Sequence, residues 1–478
     1  MQAIFAVILI CASVAVLEGA RSGVQMTSFI VGETPGVLYA EAGASGPAVV
    51  VAHGFAGSQQ MMQGFSLLLA RAGYRVYAFD FKGHGRNRVP MSGDVTAVEG
   101  TTRVLVDETR AVIDFVDGQG APVALLGHSM ATDVLVRAAK ERADVGPIVL
   151  VSAFSRVVDE AFPRKTLLIT GAWEAGLRGF ALEAARMVDA TAREGETVRA
   201  DGVKRRAVAA PMSEHVAVLQ SRVARAEALE WLDRSYDRYS IQHVLPTGWA
   251  ILGVLIGLVL VFPVVVRRIA VQAEKPLHLS WARYFAVVCS PLVLAPLIAA
   301  PLEPAFLPVL VADYLGIHLL IYGVVQLGLI WLWGGLPHRF HVKGFLVLAL
   351  WLALFGLALD RYAANFWPTS ERVWIMAVLA GGAVPYMVAD AVLAQGMGRG
   401  RRLVMRTAFL VSLGVAVALN FEGLFFLIMI GPVLALFYLL FGPMAQATAA
   451  RSGPLSAGLA LGLMLAWALG VSFPLFVA

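Results

Sequence analysis

The chain has 478 residues, room for two or more domains, and is 58% hydrophobic with only 15% charged residues, a balance far from that of an ordinary soluble protein. Its formal charge of +5 calls for no nucleic-acid partner, because the basic residues of the second half sit in short loops between apolar runs. Cys11 and Cys289 both lie in apolar stretches and point to neither a disulfide framework nor a thiolate metal site.

In chain order, the first element is the apolar run 2–17, "QAIFAVILICASVAVL", long enough to enter a bilayer and followed by a weak cleavage context, "LEGA". We read residues 1–20 as an uncleaved signal-anchor helix. Residues 21–240 carry most of the charge and alternate two patterns. Short β-rich runs fall at Val37–Ala42, Ala48–Ala52, Arg75–Asp80, Val123–Leu126, Pro147–Ser152, Thr166–Thr170 and Arg205–Ala209. Helical patterns fall between them, near 58–72, 96–117, 130–142, 175–188 and 216–234. Such alternation predicts an α/β fold, a mostly parallel sheet with helices on both faces. Ligands on such sheets bind beyond the carboxyl ends of the strands, so the residues just after each run carry the functional information.

Those positions hold "HGFAGS" (53–58), "FKGHGRN" (81–87), "GHSMA" (127–131), "GAWEAG" (171–176) and "PMSEHVAVL" (211–219). A serine, an acid and a histidine thus occur in that order, each at a strand end. Ser129 taken alone suits a helix N-cap equally well. Together the three residues suit nucleophilic acyl transfer: Ser129 attacks a carbonyl, His215 takes its proton, and Glu174 orients the imidazole. The glycine-bearing loop at 53–58 offers a backbone N–H to the oxyanion.

These motifs resemble those of the α/β-hydrolases, nearest the serine-aminopeptidase and monoacylglycerol-lipase branch, over about residues 24–240. "HGFAGS" resembles the HG-x-x-G oxyanion loop, which implies the Phe55 N–H as one donor. "GHSMA" resembles the nucleophile elbow G-x-S-x-G, with Ala131 in the last glycine's place, and implies Ser129 as nucleophile and the Met130 N–H as second donor. "FDFKGHGRN" resembles the D-x-x-G-x-G-x-S stretch, with Asn87 for the usual serine. "LLITGAWE" resembles the acid loop with Glu174 where Asp is commoner, and "SEHVAVL" resembles the histidine loop. Asp159, after the preceding strand, stays open as the alternative acid. The histidines are scattered, and no metal or cofactor is implied. Only thirteen residues, "AFSRVVDEAFPRK", separate two strands where the lipase branch usually inserts a helical cap. The resemblance therefore implies a lidless hydrolase whose site is covered from elsewhere, by bilayer or membrane helices.

Residues 246–478 are read as a membrane domain of about eight transmembrane helices, near 248–266, 284–300, 309–334, 345–359, 373–394, 407–420, 424–441 and 456–477. Arginines and lysines gather in every second loop, at 267–283, 339–343, 399–406 and 451. Those loops are read as cytoplasmic, which leaves the catalytic half on the periplasmic or extracellular side. Asp313 and Glu422 fall near outer span ends, Asp390 is expected to pair with Arg399 or Arg401, and His318 lies deepest and is expected to bond a neighbouring helix. The whole reads as a membrane-embedded serine hydrolase acting on an acyl-containing small molecule or lipid. An acyltransferase on the same triad, and a transporter or sensor with a ligand-binding hydrolase-like domain, are the alternatives.

Overall fold

A computed structural model describes residues 1–92, 94, 98–116, 118–140, 142–269, 271 and 275–477. Helix α1 (Gln2–Arg21) leads directly into strand β1 (Val24–Val31), which turns back as β2 (Thr34–Glu41). There follow β3 (Ala48–Ala52), α2 (Gln63–Arg71), β4 (Arg75–Phe79), α3 (Arg103–Phe115), β5 (Val123–His128) and α4 (Met130–Ala139). The domain continues with β6 (Val145–Val151), β7 (Lys165–Gly171), α5 (Ala175–Arg186), β8 (Thr197–Ala200), β9 (Val203–Ala210) and α6 (Arg222–Ser235). Positions 96 and 97 of the first-read helix 96–117, its last residue 117, and position 141 of the helix read at 130–142 lie outside the described residues.

The strands form one sheet in the order β1-β2-β4-β3-β5-β6-β7-β9-β8. The interior strands pair in parallel, whereas β1, β2 and β8 join antiparallel. Strands β3 and β4 are buried at every position, because helices cover both faces and an unbroken apolar run is what such a place selects. Helices α2 and α6 pack on one face around Phe65, Leu69 and Trp231. Helices α3, α4 and α5 pack on the other around Ile113, Leu135 and Ala184. Met62 and Phe65 are fully buried in the first of these layers.

Eight helices among the described residues are long and apolar enough to cross a membrane. Besides α1 they are α7 (Thr247–Val266), α8 (Trp281–Ala299, with a short turn after it), α9 (Ala312–Leu332), α10 (Val342–Tyr362), α11 (Ser370–Gln395), α12 (Arg399–Leu419) and, after the single turn α13 (Phe421–Leu424), α14 (Leu427–Ser472). The bundle has its own core around Phe262, Tyr322, Phe355 and Phe409. Its outside shows large apolar side chains such as Trp331, Leu350, Leu436 and Leu439, which suits hydrocarbon and not water. Helix α1 runs antiparallel to α7, and the "GVLIG" step of α7 lets the two approach closely. A Cβ at Gly253 would stand 2.2 Å from Ser13 Oγ, and one at Gly257 would stand 3.1 Å from the Ala6 carbonyl.

Two expected spans, 424–441 and 456–477, are the halves of α14. The break is Gly453, whose φ of +78° glycine alone adopts without cost. The halves run back on each other, because residues at both outer ends, Phe426 and Phe476, pack on the same ring, Phe55. Near the break, Arg451 donates to the carbonyls of Arg267 and Ile269, and Ser456 bonds His341. The basic loops therefore gather at the end of the bundle remote from the sheet.

At the near end the two regions are joined by backbone as well as side chains. Met91 donates to the Leu475 carbonyl at 2.9 Å, Leu475 to Gly83 at 2.8 Å, and Val477 to Met91 at 2.7 Å, forming a small parallel bridge. Buried Arg372 donates to the Gly83 and Phe473 carbonyls. Asn365 donates from its N–H to Ser58 Oγ and from its amide to the Gly85 carbonyl. Arg86 pairs with Asp360 and Arg88 with Glu371.

Three of the ionisable residues of the spans have bonded partners. His318 lies against Ser412 Oγ at 3.1 Å, the expected contact between helices. Asp313 accepts the N–H groups of Phe306 and Leu307. Asp390 pairs with Arg406, contrary to the expected Arg399 or Arg401. Helices α11 and α12 are antiparallel across a three-residue turn, so a residue five positions before the end of one meets a residue seven positions into the next.

Candidate active site

The site is assembled at the carboxyl ends of β3, β5, β7 and β9. Ser129 stands between β5 and α4 with φ 53° and ψ −119°, a strained corner that lifts its side chain clear of the sheet. Two small residues make the corner possible. A Cβ at Gly127 would lie 2.5 Å from Leu135 and 3.1 Å from the Ala131 Cβ, so the helix can carry alanine at 131 only because 127 is glycine. The Thr132 N–H and hydroxyl both donate to the Ser129 carbonyl and fix the first turn of α4.

Strands β7 and β9 pair in register through Gly171 and Ala210, which brings the loops after them together. Gly171 is needed there, since a Cβ would meet the Ser213 carbonyl at 2.4 Å. His215, on the second loop, places Nε2 at 2.8 Å from Ser129 Oγ and Nδ1 at 2.5 Å from Glu174 Oε1. The other carboxylate oxygen, Oε2, accepts the Gly171 N–H at 2.6 Å and the Ser152 hydroxyl at 2.7 Å. Burial pushes the Glu174 carboxyl up, but the hydrogen bonds from His215, Gly171 and Ser152 outweigh it and hold it below the ordinary carboxylate range. A carboxylate so held requires the Nδ1 proton of His215, leaving Nε2 free to accept from the serine hydroxyl.

Asp159 is not brought to this cluster. It lies exposed, and its Oδ1 accepts the N–H groups of Ala161 and Phe162, closing its own turn. Glu214 likewise caps the short turn after it, accepting from Val216 and Ala217. The residues 153–164 form turns with no helix, so no cap rises from this edge of the sheet.

The loop at 53–58 lies directly against Ser129: a Cβ at Gly54 would stand 3.0 Å from the Ser129 Cβ. Met130 opens α4, where the first N–H groups have no intrahelical acceptor. His53 is wholly buried and ties this loop to "FKGHGRN", accepting the Phe81 N–H on Nε2 and donating from Nδ1 to the Gly54 carbonyl. Burial holds it neutral by lowering its pKa. Asp80 accepts the N–H groups of Gln59 and Arg86, and Asn87, in the usual serine's place, donates to the Asp80 carbonyl and to Glu108.

Near the triad, Ser152 escapes the reading of the sequence, whereas His128, in its motif loop, is expected to shape the pocket. Ser152 braces Glu174, and its only signal is that it ends a β-rich run. His128 presents Nε2 at 2.8 Å to the His215 carbonyl and so holds the histidine loop. Burial first, and then the neighbouring His215, lower the His128 pKa to about 4. Among the described residues no group of three His, Cys, Asp or Glu side chains is placed to hold a metal ion.

Residues 44–206 match the family profile of the serine aminopeptidases, S33. Among solved structures, a predicted CIB-like hydrolase from Thermoplasma acidophilum is 18% identical, with 44% of this chain covering 98% of that one (TM-score 0.35). A dienelactone hydrolase from Anabaena variabilis is 19% identical over 46% and 99% of the two chains (0.34), and a soluble variant of a monoglyceride lipase from Saccharomyces cerevisiae is 12% identical over 45% and 96% (0.34). No curated protein matches the chain. The N-terminal half is thus a mostly parallel α/β sheet that resembles the serine aminopeptidases over residues 44–206, and an all-helical region of long apolar helices follows it.

Proposed function

We propose that the protein is a membrane-embedded serine hydrolase that cleaves an ester, thioester or amide through an acyl-enzyme on Ser129, with a lipid-like acyl group as the favoured substrate. The observation that carries this reading is the relay from Ser129 Oγ through the His215 ring to Glu174, with links of 2.8 and 2.5 Å. Ser129 Oγ attacks the acyl carbonyl while its proton passes to His215 Nε2. Glu174 stabilises the imidazolium and keeps the ring oriented. The N–H groups of Phe55 and Met130 hold the tetrahedral oxyanion. Collapse breaks the bond to the leaving group, which takes the proton from Nε2. Water then repeats the sequence on the acyl-enzyme, giving a free carboxylic acid and restoring the serine.

The lipid part of the reading rests on the missing cap and on the apolar bundle fused to the domain. The basic loops gather at the end of the bundle remote from the sheet, which supports a hydrolase domain on the periplasmic or exterior side. Labelling of the full-length protein with a fluorophosphonate tests the chemistry. Stoichiometric labelling of the wild type, lost in Ser129→Ala and in His215→Ala, is expected. Equal labelling of Ser129→Ala would overturn the assignment.

A further inference from the structure

The loop that flanks the nucleophile is also the floor of a cavity of about 190 Å³ whose walls belong to the helix bundle. Phe55 and Ala56 form the floor, Phe426, Met429 and Val433 come from one side of α14, and Phe473 closes it from the chain's end. Every other side chain lining it is apolar except Ser472, whose hydroxyl proton is already donated to the Ala468 carbonyl. No charged group faces the space, so it suits hydrocarbon and not a headgroup. An apolar cavity of roughly 150 Å³ accepts a benzene ring, so this one holds a run of about six to eight carbons.

Its far wall is not sealed by protein. Met429 and Val433 are 49% and 48% exposed, and Leu436, 54% exposed, continues the same stripe of α14 one turn further from the sheet. That stripe lies on the outside of a helix long and apolar enough to cross a membrane, so an apolar surface leads from hydrocarbon to the floor of the cavity. The tail that completes it is seated by backbone bonds on Gly83. That glycine has φ +73°, and a Cβ there would meet the Leu475 carbonyl at 2.5 Å. A larger groove of about 370 Å³, between α10, α11 and the second half of α14, includes no residue of the triad or its oxyanion loop.

We propose that this cavity is the acyl-chain site: helix α14 and the tail at 473–477 serve as the cap that the hydrolase domain lacks. The chain of a membrane lipid enters along α14 from the bilayer and seats against Phe55 and Ala56, which presents its carbonyl to Ser129 beside the Phe55 N–H. The inference rests on the hydrolase reading above and adds to it the substrate class and its route.

Chain-length selectivity of the full-length protein in nanodiscs, with p-nitrophenyl esters from acetate to laurate, is the test. The wild type should gain about fourfold in kcat/KM per added methylene, the equivalent of about 0.8 kcal/mol, and level off once the cavity is filled. Val433→Trp, which fills the space, should lower the octanoate-to-butyrate ratio at least tenfold. Val433→Ala should move the plateau to longer chains, and so reports the cavity's length even if the tryptophan variant does not fold. An active enzyme with one profile in the wild type and both variants would overturn the cavity assignment and leave the triad standing. Failure to cleave esters of any length, together with no phosphonate labelling, would overturn both.

Discussion

The two halves of this protein use the same residues in opposite senses. In the hydrolase domain valine, leucine and phenylalanine disappear between sheet and helices, and charged side chains cover the outside. In the bundle leucines and tryptophans stand on the outside, and buried Asp390 is paired with Arg406. Each arrangement is the minimum for its own solvent. What the contrast teaches is where chemistry belongs. The relay of Ser129, His215 and Glu174 lies on the sheet side of the seam between the two regions, and an apolar cavity lies on its helix side. The loops that form this boundary, around Ser58, Gly83 and Gly85, are the ones whose motifs identify the domain.

The comparison can be broken or sharpened in graded steps. The largest effect is expected from the relay itself: Ser129→Ala and His215→Ala should each lower kcat by a factor on the order of 10⁴ to 10⁶, and the double variant by little more. Steady-state hydrolysis measured on both singles and the double checks this. Glu174→Gln keeps the shape but loses the charge, and a loss on the order of 10³ to 10⁴ is expected, whereas Asp159→Asn should stay near the wild type because Asp159 serves only its own turn.

A pH effect of intermediate size follows from His128. Its folded pKa of about 4 lies below the ordinary value of 6.5, so the unfolded chain binds a proton that the folded domain refuses. Stability is fully present above pH 6.5 and is lost as pH falls from 6.5 through 4, by about 3 kcal/mol at roughly 1.4 kcal/mol per unit. Buried His53 and His84, also held neutral, contribute in the same direction. Thermal unfolding of His128→Gln across this range should show a shallower acid slope; an unchanged slope would contradict the assignment. The smallest effect is expected at the seam. Gly83→Ala forces a side chain into a left-handed conformation against the Leu475 carbonyl and should cost about 1–2 kcal/mol. Faster proteolysis of the tail, with hydrolysis of short esters less affected than that of long ones, is the expected outcome.

Much of the hydrolase half is legible in the sequence because its turns demand particular residues. Only small residues permit the corners at 54, 127 and 171, and these positions bracket the nucleophile and the acid in any reading. The interior strands announce themselves as unbroken apolar runs. The edge strands β1 and β8 do not: exposed over much of their length, they carry the mixed composition of a loop. Ser152 is hidden for a different reason, since it acts through a bond to a later loop, and no local pattern marks it. The spans are visible as apolar length. Their pairing is not, so the Asp390 partner was expected one or two turns away from Arg406. The cavity is the least legible feature, because its floor at 55–56 and its walls at 310–311 and 426–476 lie far apart in the chain and meet only where the halves dock.

The central claim is that Ser129 carries the acyl group. Rapid-quench kinetics with p-nitrophenyl butyrate, followed by peptide mass spectrometry, tests it most directly. The account predicts a burst of p-nitrophenol close to one per protein and a butyryl mass increment on the peptide containing Ser129. Steady hydrolysis with no burst, continuing undiminished in Ser129→Ala, would contradict it.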